Sequence, residues 1–166
     1  MNKTLIIVPV YNEENTINIV VSRVCDIQIA GITNKEIILI DDGSTDKTPH
    51  KLEQYISNNK IIIISTKKNA GKGSSIRKGL KKASGDLILI QDADLEYNPA
   101  EYPKLLAPIL SGNADVVYGS RFTGGDAHRV LFYWHSIGNQ ILTSISNIFT
   151  NLNLTDMECG YKLFRK

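Results

Sequence analysis

The sequence predicts an α/β fold with a mostly parallel central sheet and helices on both faces. Short runs of apolar and β-branched residues recur along the chain, and segments with helical spacing lie between them. Strands that are apolar on both sides and alternate with helices are typical of parallel sheets, whose two faces are both covered. The 166 residues, with 42% hydrophobic and 22% charged side chains, predict a single globular domain.

Five apolar runs predict the strands of this sheet. They cover residues 5–10, 36–40, 61–65, 86–91 and 115–118. The first run meets Pro9 and then acidic residues. It is too short for the apolar core of a signal peptide, so we interpret it as the first strand.

Four segments between or after these runs predict helices. They cover about 13–25, 45–56, 74–83 and 100–110. Ser44 stands where the N-cap of the second helix is expected. Pro103 and Pro108 are expected to shorten or bend the fourth helix, because proline lacks the backbone N–H.

Cysteine content and hydropathy exclude several classes of protein. Cys25 and Cys159 are far apart and lack CxxC spacing, so neither a disulfide framework nor a zinc site is indicated, and a reducing cytoplasm fits best. No window holds the roughly 18 uninterrupted apolar residues of a membrane-spanning helix. The net charge of +2 neither favours nor excludes a nucleic-acid partner.

Polar, charged or glycine residues follow every predicted strand. They occupy residues 9–13, 41–44, 67–73, 92–94 and 119–121. Each group alone is compatible with a simple turn, since Asp, Asn, Gly and Ser all favour turns. In parallel sheets, however, ligands bind beyond the carboxyl ends of the strands. Together, the five groups predict a binding site at that edge.

The stretch QDADLEYN, residues 91–98, places three carboxylates at the end of the fourth strand. Alternate strand residues share a face, so Asp92, Asp94 and Glu96 are expected to converge on one small volume. A divalent cation would relieve their repulsion. The alternative is a solvated acidic loop that caps the next helix.

The glycine-rich stretch NAGKGSS, residues 69–75, matches neither of two common nucleotide motifs. A P-loop requires glycine where Thr66 stands, and Ser or Thr where Gly73 follows Lys72. A dinucleotide fingerprint requires a third glycine where Ile76 stands. What remains is a basic turn suited to close approach of an anion or a nucleobase, or simply the start of a helix.

The ordered set of motifs resembles the family 2 glycosyltransferases with the GT-A (Rossmann-like) fold. The motifs are PVYNEEN, IDDGSTDKT, KNAGKGSSIRKG, ASGDLILIQDAD, GSRF and TDMECGYKLFRK. The last block is similar to the acceptor side of the dolichyl- and polyprenyl-phosphate sugar synthases, the group of the dolichol-phosphate mannose synthases. The resemblance covers essentially the whole chain.

The resemblance implies a nucleotide-sugar donor and a bound Mg²⁺ or Mn²⁺. Its DxD element corresponds to Asp92 and Asp94, with Glu96 as a further metal ligand. The donor site would be formed by Pro9, Tyr11, Glu13, Asp41, Asp42, Lys72, Arg77 and Asp92. In this set Asp41 is expected to contact base or ribose, whereas Asp42 either does the same or only caps its turn.

The resemblance also implies a lipid-phosphate acceptor. A phosphate monoester is already anionic and needs no general base, unlike a sugar hydroxyl. It needs cations, for which Arg121, Arg129, Lys162 and His135 are candidates; each could instead be a surface or packing residue. The expected catalytic residues are Asp94, Arg121 and Lys162, acting in one in-line displacement that inverts the anomeric centre.

Two other functions stay open. One is transfer to a sugar hydroxyl in polysaccharide assembly, with Glu158 as the base; the other is nucleotide-sugar binding without turnover. Members of the group usually continue beyond the point where this chain ends. The resemblance therefore implies a catalytic domain, or a protein truncated at its C-terminus.

Residues 130–149 predict a helix with a broad apolar stripe interrupted by polar residues, so it does not suit a membrane span. It either packs on its own domain or lies at a membrane surface with Phe132, Tyr133 or Trp134 as anchors. With a lipid acceptor, we expect a cytoplasmic protein at the inner face of a membrane, and no nucleic-acid partner.

Overall fold

A computed structural model describes residues 2–123 and 132–166. The strands are β1 (Asn2–Val10), β2 (Ile32–Asp41), β3 (Ile61–Ser65), β4 (Leu87–Ile90), β5 (Val116–Tyr118) and β6 (Lys162–Arg165). The helices are α1 (Ile17–Asp26), α2 (Thr48–Glu53), α3 (Lys72–Lys82), α4 (Tyr102–Leu110) and α5 (Tyr133–Thr150), with a 3-10 turn at Pro99–Glu101 before α4. The acceptor candidate Arg129 lies outside the described residues.

The described strands form one six-stranded sheet in the order β3-β2-β1-β4-β6-β5. β1 pairs in parallel with β2 and β4, and β2 pairs in parallel with β3. β6 is antiparallel to both β4 and β5, between which it is inserted. The predicted α/β fold with a mostly parallel sheet is therefore confirmed. The sequence pattern does not predict β6, because its four residues, two apolar side chains between two charged ones, are too few to distinguish a strand from a loop.

Both faces of the sheet are buried, as its strand sequences require. On one face, apolar residues of α1 and α4 pack against β1, β2 and β4. On the other, α3 lies over β1 and β2, and a Cβ added at Gly79 would come within 2.9 Å of Ile7 Cγ2. Glycine at this position is what lets the helix approach the sheet so closely.

The start of α2 differs from the prediction. The helix begins at Thr48 with Lys47 at the N-cap position, and Asp46 Oδ1 accepts the Thr48 N–H at 2.9 Å. Ser44 is not the N-cap; its hydroxyl oxygen accepts the Asn12 N–H at 3.0 Å instead. Ser44 and Asp46 are both able to accept a backbone N–H at the start of a helix, and their order in the sequence does not show which of them does so.

The last helix, α5, has an unusual orientation for an amphipathic helix. Its buried residues are polar, Asn139 and Thr143. Its large apolar side chains are exposed: Trp134 is 77% exposed and Phe149 85% exposed, and the others are Tyr133, Ile141, Leu142, Ile145 and Ile148. The apolar stripe therefore does not pack on the described part of the domain. Within that part, no helix is long and apolar enough to cross a membrane.

Candidate active site

A cleft of about 310 Å³ opens at the carboxyl edge of the parallel strands. It is lined by residues from the end of β1, from the loops after β1, β2, β3 and β4, and from the start of α3: Pro9, Val10, Tyr11, Glu13, Asp42, Asn69, Gly71, Lys72, Ser75, Asp92, Ala93 and Asp94. Seven of the predicted donor-site and metal residues are in this set. Asp41, Arg77 and Glu96 are not. The sheet topology is what brings these distant parts of the sequence together.

The loops after β1 and β2 are joined by hydrogen bonds beside the cleft. Asn12, whose φ of 55° is left-handed, accepts the Thr45 N–H on its Oδ1 at 2.8 Å. The Glu13 N–H in turn donates to Thr48 Oγ1 at 2.8 Å. These contacts join the backbone that carries Tyr11 and Glu13 to the loop after β2 and to the start of α2.

Asp42 both lines the cleft and shapes the glycine-rich turn. Its Oδ2 accepts the N–H groups of Ala70 at 3.0 Å and Gly71 at 2.6 Å. Lys78, a residue that the sequence motifs do not single out, lies 3.8 Å from its Oδ1. Burial alone would raise the pKa of Asp42, but these hydrogen bonds and the lysine together hold it below its ordinary value. Asp42 is therefore ionised.

The neighbouring Asp41 has a different role in the structure. It is buried, and its Oδ1 accepts the Ser44 N–H at 3.0 Å within the turn after β2. Arg77 lies on the exposed face of α3. Direct donor contacts by these two residues therefore stay predictions, whereas Asp42 and Lys72 face the cleft.

Asp92 lies at the floor of the cleft and contacts two other parts of the chain. Lys72 Nζ lies 2.5 Å from its Oδ1. Its Oδ2 lies so close to Gly160 that any side chain there would collide with it and with the Tyr97 ring. The block that resembles an acceptor segment therefore touches the block that resembles a donor segment.

A buried polar cluster contacts the backbone of Asp92, and the sequence pattern does not predict it. Gln91 Oε1 accepts the hydroxyls of Tyr102 at 2.7 Å and Tyr161 at 3.0 Å, while its Nε2 donates to the Asp92 carbonyl at 2.8 Å. Burial raises the pKa of Tyr97, whose hydroxyl oxygen accepts the Gly160 N–H at 2.6 Å, to about 12. Tyrosines so dispersed along the sequence give no local signal of this cluster.

The three acidic residues do not converge in the way that strand alternation predicts. β4 ends at Ile90, and Leu95 has a left-handed φ of 64°. Asp94 Oδ1 accepts the Glu96 N–H at 3.0 Å within this turn. Across the described ranges, no group of three or more His, Cys, Asp or Glu side chains is arranged to hold a metal ion. The extended geometry assumed for residues 92–96 is therefore wrong.

Asp92 and Asp94 nevertheless fit a hard divalent cation. Both carboxylates line the cleft, and Asp92 already has a cationic partner in Lys72. Mg²⁺ is commonly held by one or two carboxylates, with water and substrate phosphates as the other ligands. Two carboxylates that line the same cleft are compatible with that arrangement, and a role for Glu96 stays a prediction.

The acceptor-side candidates lie on the β5 and β6 side of the sheet. Arg121 donates from its backbone N–H and Nε to Asp156 Oδ2, at 3.0 and 2.8 Å, and from Nη2 to Asp156 Oδ1 at 3.0 Å. Lys162 donates to the Cys159 carbonyl at 2.8 Å, with Nζ 5.3 Å from the centre of the Tyr118 ring. His135 is exposed in the first turn of α5.

A family model described as glycosyl transferase family 2 matches residues 5–166. The chain belongs to this family. Curated relatives include the dolichol-phosphate mannosyltransferase of Pyrococcus furiosus, 36% identical over 79% of this chain and 37% of the relative. Another is the undecaprenyl-phosphate 4-deoxy-4-formamido-L-arabinose transferase of Proteus mirabilis, 30% identical over 100% of this chain and 50% of the relative. The chain thus spans half or less of the length of these family 2 relatives.

Solved structures confirm the GT-A fold of this family 2 domain. The glucosyl-3-phosphoglycerate synthase of Mycobacterium tuberculosis, crystallised with Mn²⁺, uridine diphosphate and phosphoglyceric acid, superposes with a TM-score of 0.73 at 20% identity, over 99% of this chain and 56% of that one. S. aureus TarS in complex with UDP superposes with a TM-score of 0.57 at 27% identity, over 75% of this chain and 38% of that one.

Proposed function

We propose that this family 2 domain transfers a hexose from a nucleotide-sugar of the GDP-mannose or UDP-glucose type to a polyprenyl or dolichyl phosphate. The proposal rests on the positions of the two carboxylates in the acceptor-side block, Asp156 and Glu158, neither of which is placed to act as a general base in the cleft. Asp156 is fully buried and bonded to Arg121, so it cannot take a proton from a hydroxyl. Glu158 is exposed and does not line the cleft. This arrangement favours an acceptor that needs no general base.

The donor side of the proposed mechanism uses the walls of the cleft. Tyr11 and Glu13 would bind the nucleoside, and the turn held by Asp42 would approach the diphosphate with backbone N–H groups. Asp92 and Asp94 would hold Mg²⁺ or Mn²⁺, which supplies positive charge against the departing diphosphate. Lys72, 2.5 Å from Asp92, adds a second cation at the same place.

On the acceptor side, Arg121 and Lys162 would reduce the repulsion between two phosphate groups brought close together. An oxygen of the lipid phosphate attacks the anomeric carbon as the bond to the nucleoside diphosphate oxygen breaks. No proton is transferred, because the attacking oxygen is already anionic. One in-line displacement of this kind inverts the anomeric centre. The names of the relatives, which are polyprenyl-phosphate sugar transferases, support this acceptor.

The exposed apolar stripe of α5 supports a position at a membrane surface, which we propose to be the cytoplasmic face. A soluble monomer rarely exposes so many large apolar side chains along one element. Phe132, Tyr133 and Trp134 stand together at the start of this stripe, as the aromatic residues of interfacial helices often do. A lipid phosphate at the headgroup level would then be within reach of the acceptor side.

A transfer assay tests the proposal. The chain is incubated with radiolabelled GDP-mannose or UDP-glucose, Mn²⁺ and a short polyprenyl phosphate, and the organic phase is counted. Lipid-extractable label from either donor supports the proposed reaction. Label found only on added saccharides would favour transfer to a hydroxyl, and nucleotide-sugar binding without any transfer would favour a binding module.

A further inference from the structure

Asp156 is a buried carboxylate that does not line the cleft. It is 1% exposed, and its side chain accepts four hydrogen bonds. Three come from Arg121, and the fourth comes from Asn139 Nδ2 of α5 at 2.8 Å. A buried charge is tolerated only when it is paired and fully hydrogen-bonded. The structure meets that requirement entirely with these two partners.

The pairing fixes the direction in which the Arg121 guanidinium points. Asp156 takes one side edge of the group, formed by Nε and Nη2. A guanidinium has five N–H donors, so the end edge formed by Nη1 and Nη2 keeps donors for a second, bidentate anion. The Arg121 side chain as a whole is 29% exposed. Asp156 thus holds the Arg121 guanidinium by one edge.

Asp156 is itself held by the polar stripe of α5. Thr143 Oγ1 donates to Asn139 Oδ1 at 3.4 Å and accepts the Met157 N–H at 3.1 Å. One turn further along, Asn147 Nδ2 donates to the Leu154 carbonyl at 2.8 Å, and Asn147 Oδ1 accepts the Leu154 N–H at 3.0 Å. Asn139, Thr143 and Asn147 therefore bind residues 154–157, the segment that carries Asp156, through hydrogen bonds. The apolar stripe of the same helix is exposed.

We propose that Asp156, supported by Asn139, is a positioning residue that aims Arg121 at the phosphate of the acceptor. The inference rests on the proposed function, because it needs an anionic acceptor. It adds a residue without a role in the motif comparison. It also links α5, the helix with the exposed apolar stripe, to the acceptor site through a chain of two hydrogen-bonded side chains.

A double-mutant cycle tests this inference. Arg121→Lys, Asp156→Asn and the double variant are compared for label transfer to a short polyprenyl phosphate, and for binding of UDP and GDP with Mn²⁺. We expect Asp156→Asn to lower kcat/KM for the acceptor about 10-fold or more, with nucleotide Kd within about 2-fold of the parent. The double variant should be no worse than Arg121→Lys alone, because Asp156 acts only through Arg121.

Asn139→Ala provides a second route if Asp156→Asn does not fold, which thermal unfolding reveals. It should give a smaller loss in the same direction, and the loss should also vanish in the Arg121→Lys background. Asp115→Asn is the matched control, because it removes the carboxylate of the exposed Asp115–Arg165 pair, whose Oδ1 and Nε are 3.2 Å apart. It should leave transfer unchanged.

The outcomes separate the two proposals. If the parent chain transfers sugar and the single losses multiply in the double variants, the positioning role is wrong and the proposed function stands. Loss of nucleotide affinity in Asp156→Asn would likewise overturn the positioning role, since it would show a general disturbance of the domain. If the parent chain transfers nothing to polyprenyl phosphate, the proposed function falls, and the inference falls with it.

Discussion

Asp92 and Asp94 are the residues on which metal binding in the proposed donor site depends. Asp92 is mostly buried against Gly160 and Lys72, whereas Asp94 is exposed at the mouth of the cleft. In the proposed function, both carboxylates face a space that accepts a diphosphate. A cation would offset the repulsion between these anionic groups, and Lys72 supplies one positive charge there.

Replacing either residue should therefore weaken metal-dependent binding. We expect Asp94→Asn to abolish transfer, and both Asp92→Asn and Asp94→Asn to weaken Mn²⁺-dependent nucleotide binding by about 10- to 100-fold or more, the loss seen when even an outer partner of a metal ligand is removed. Calorimetric titration of UDP and GDP, with Mn²⁺ and with chelator, measures the effect. Unchanged Mn²⁺-dependent affinity in both variants would remove the basis for a metal at this position.

Asp42 should make the stability of the domain depend on pH. Its folded-state pKa is lowered, so its stabilising contribution is complete above the unfolded value of about 4 and is lost as pH falls through the folded value. Asp42→Asn should be less stable than the parent at pH 7, and the difference should shrink towards pH 3. Denaturant unfolding at both pH values measures this, with Asp115→Asn as a control for the loss of one carboxylate. A difference that is the same at both pH values would contradict the role assigned to Asp42.

At the scale of the elements, α3 depends on a glycine that faces the sheet. Gly79→Ala would place a Cβ 2.9 Å from Ile7 Cγ2 and 3.2 Å from Ile40 Cδ1. We expect a loss of about 1–3 kcal/mol from overpacking, partly offset by about 1 kcal/mol of improved helix propensity. Gly73→Ala, in the same helix but with nothing within 4 Å of the added Cβ, should not destabilise. Equal unfolding midpoints for the two variants would contradict the close packing of α3.

The helix α5 should bind lipid through its outward stripe. We expect the chain to bind anionic liposomes at low salt, and Trp134→Ser with Phe149→Ser to weaken that binding without unfolding the domain, because both side chains are mostly exposed. Cosedimentation with vesicles and circular dichroism measure the two properties. Glu53→Gln is the control, because it changes an exposed residue that is distant in sequence from α5. This variant should bind vesicles as the parent does. Ile17→Ser is unsuitable as a control, because Ile17 is part of the buried core. A parent chain that ignores liposomes would show that α5 is not a membrane contact.

At the scale of the whole molecule, the sequence predicts the order of the elements and the edge at which the site forms. This works because buried parallel strands are continuous apolar runs and their polar carboxyl ends must meet. It fails where two local signals compete, as at Ser44 and Asp46, or where a turn interrupts an assumed strand, as at Leu95. It also cannot show pairing between residues distant in sequence. Arg121 is identified by its motif, but its partner Asp156 becomes apparent only when β5, β6 and α5 are placed together.

The proposed acceptor is a phosphate, which needs no general base. A transfer assay that compares a polyprenyl phosphate with the polyprenol of the same chain length, using one radiolabelled nucleotide-sugar and Mn²⁺, distinguishes this acceptor from a hydroxyl. We expect lipid-extractable label with the phosphate and none with the alcohol, and a product of inverted anomeric configuration. Labelling of the polyprenol equal to that of the polyprenyl phosphate, or labelling of the polyprenol alone, would contradict a phosphate acceptor.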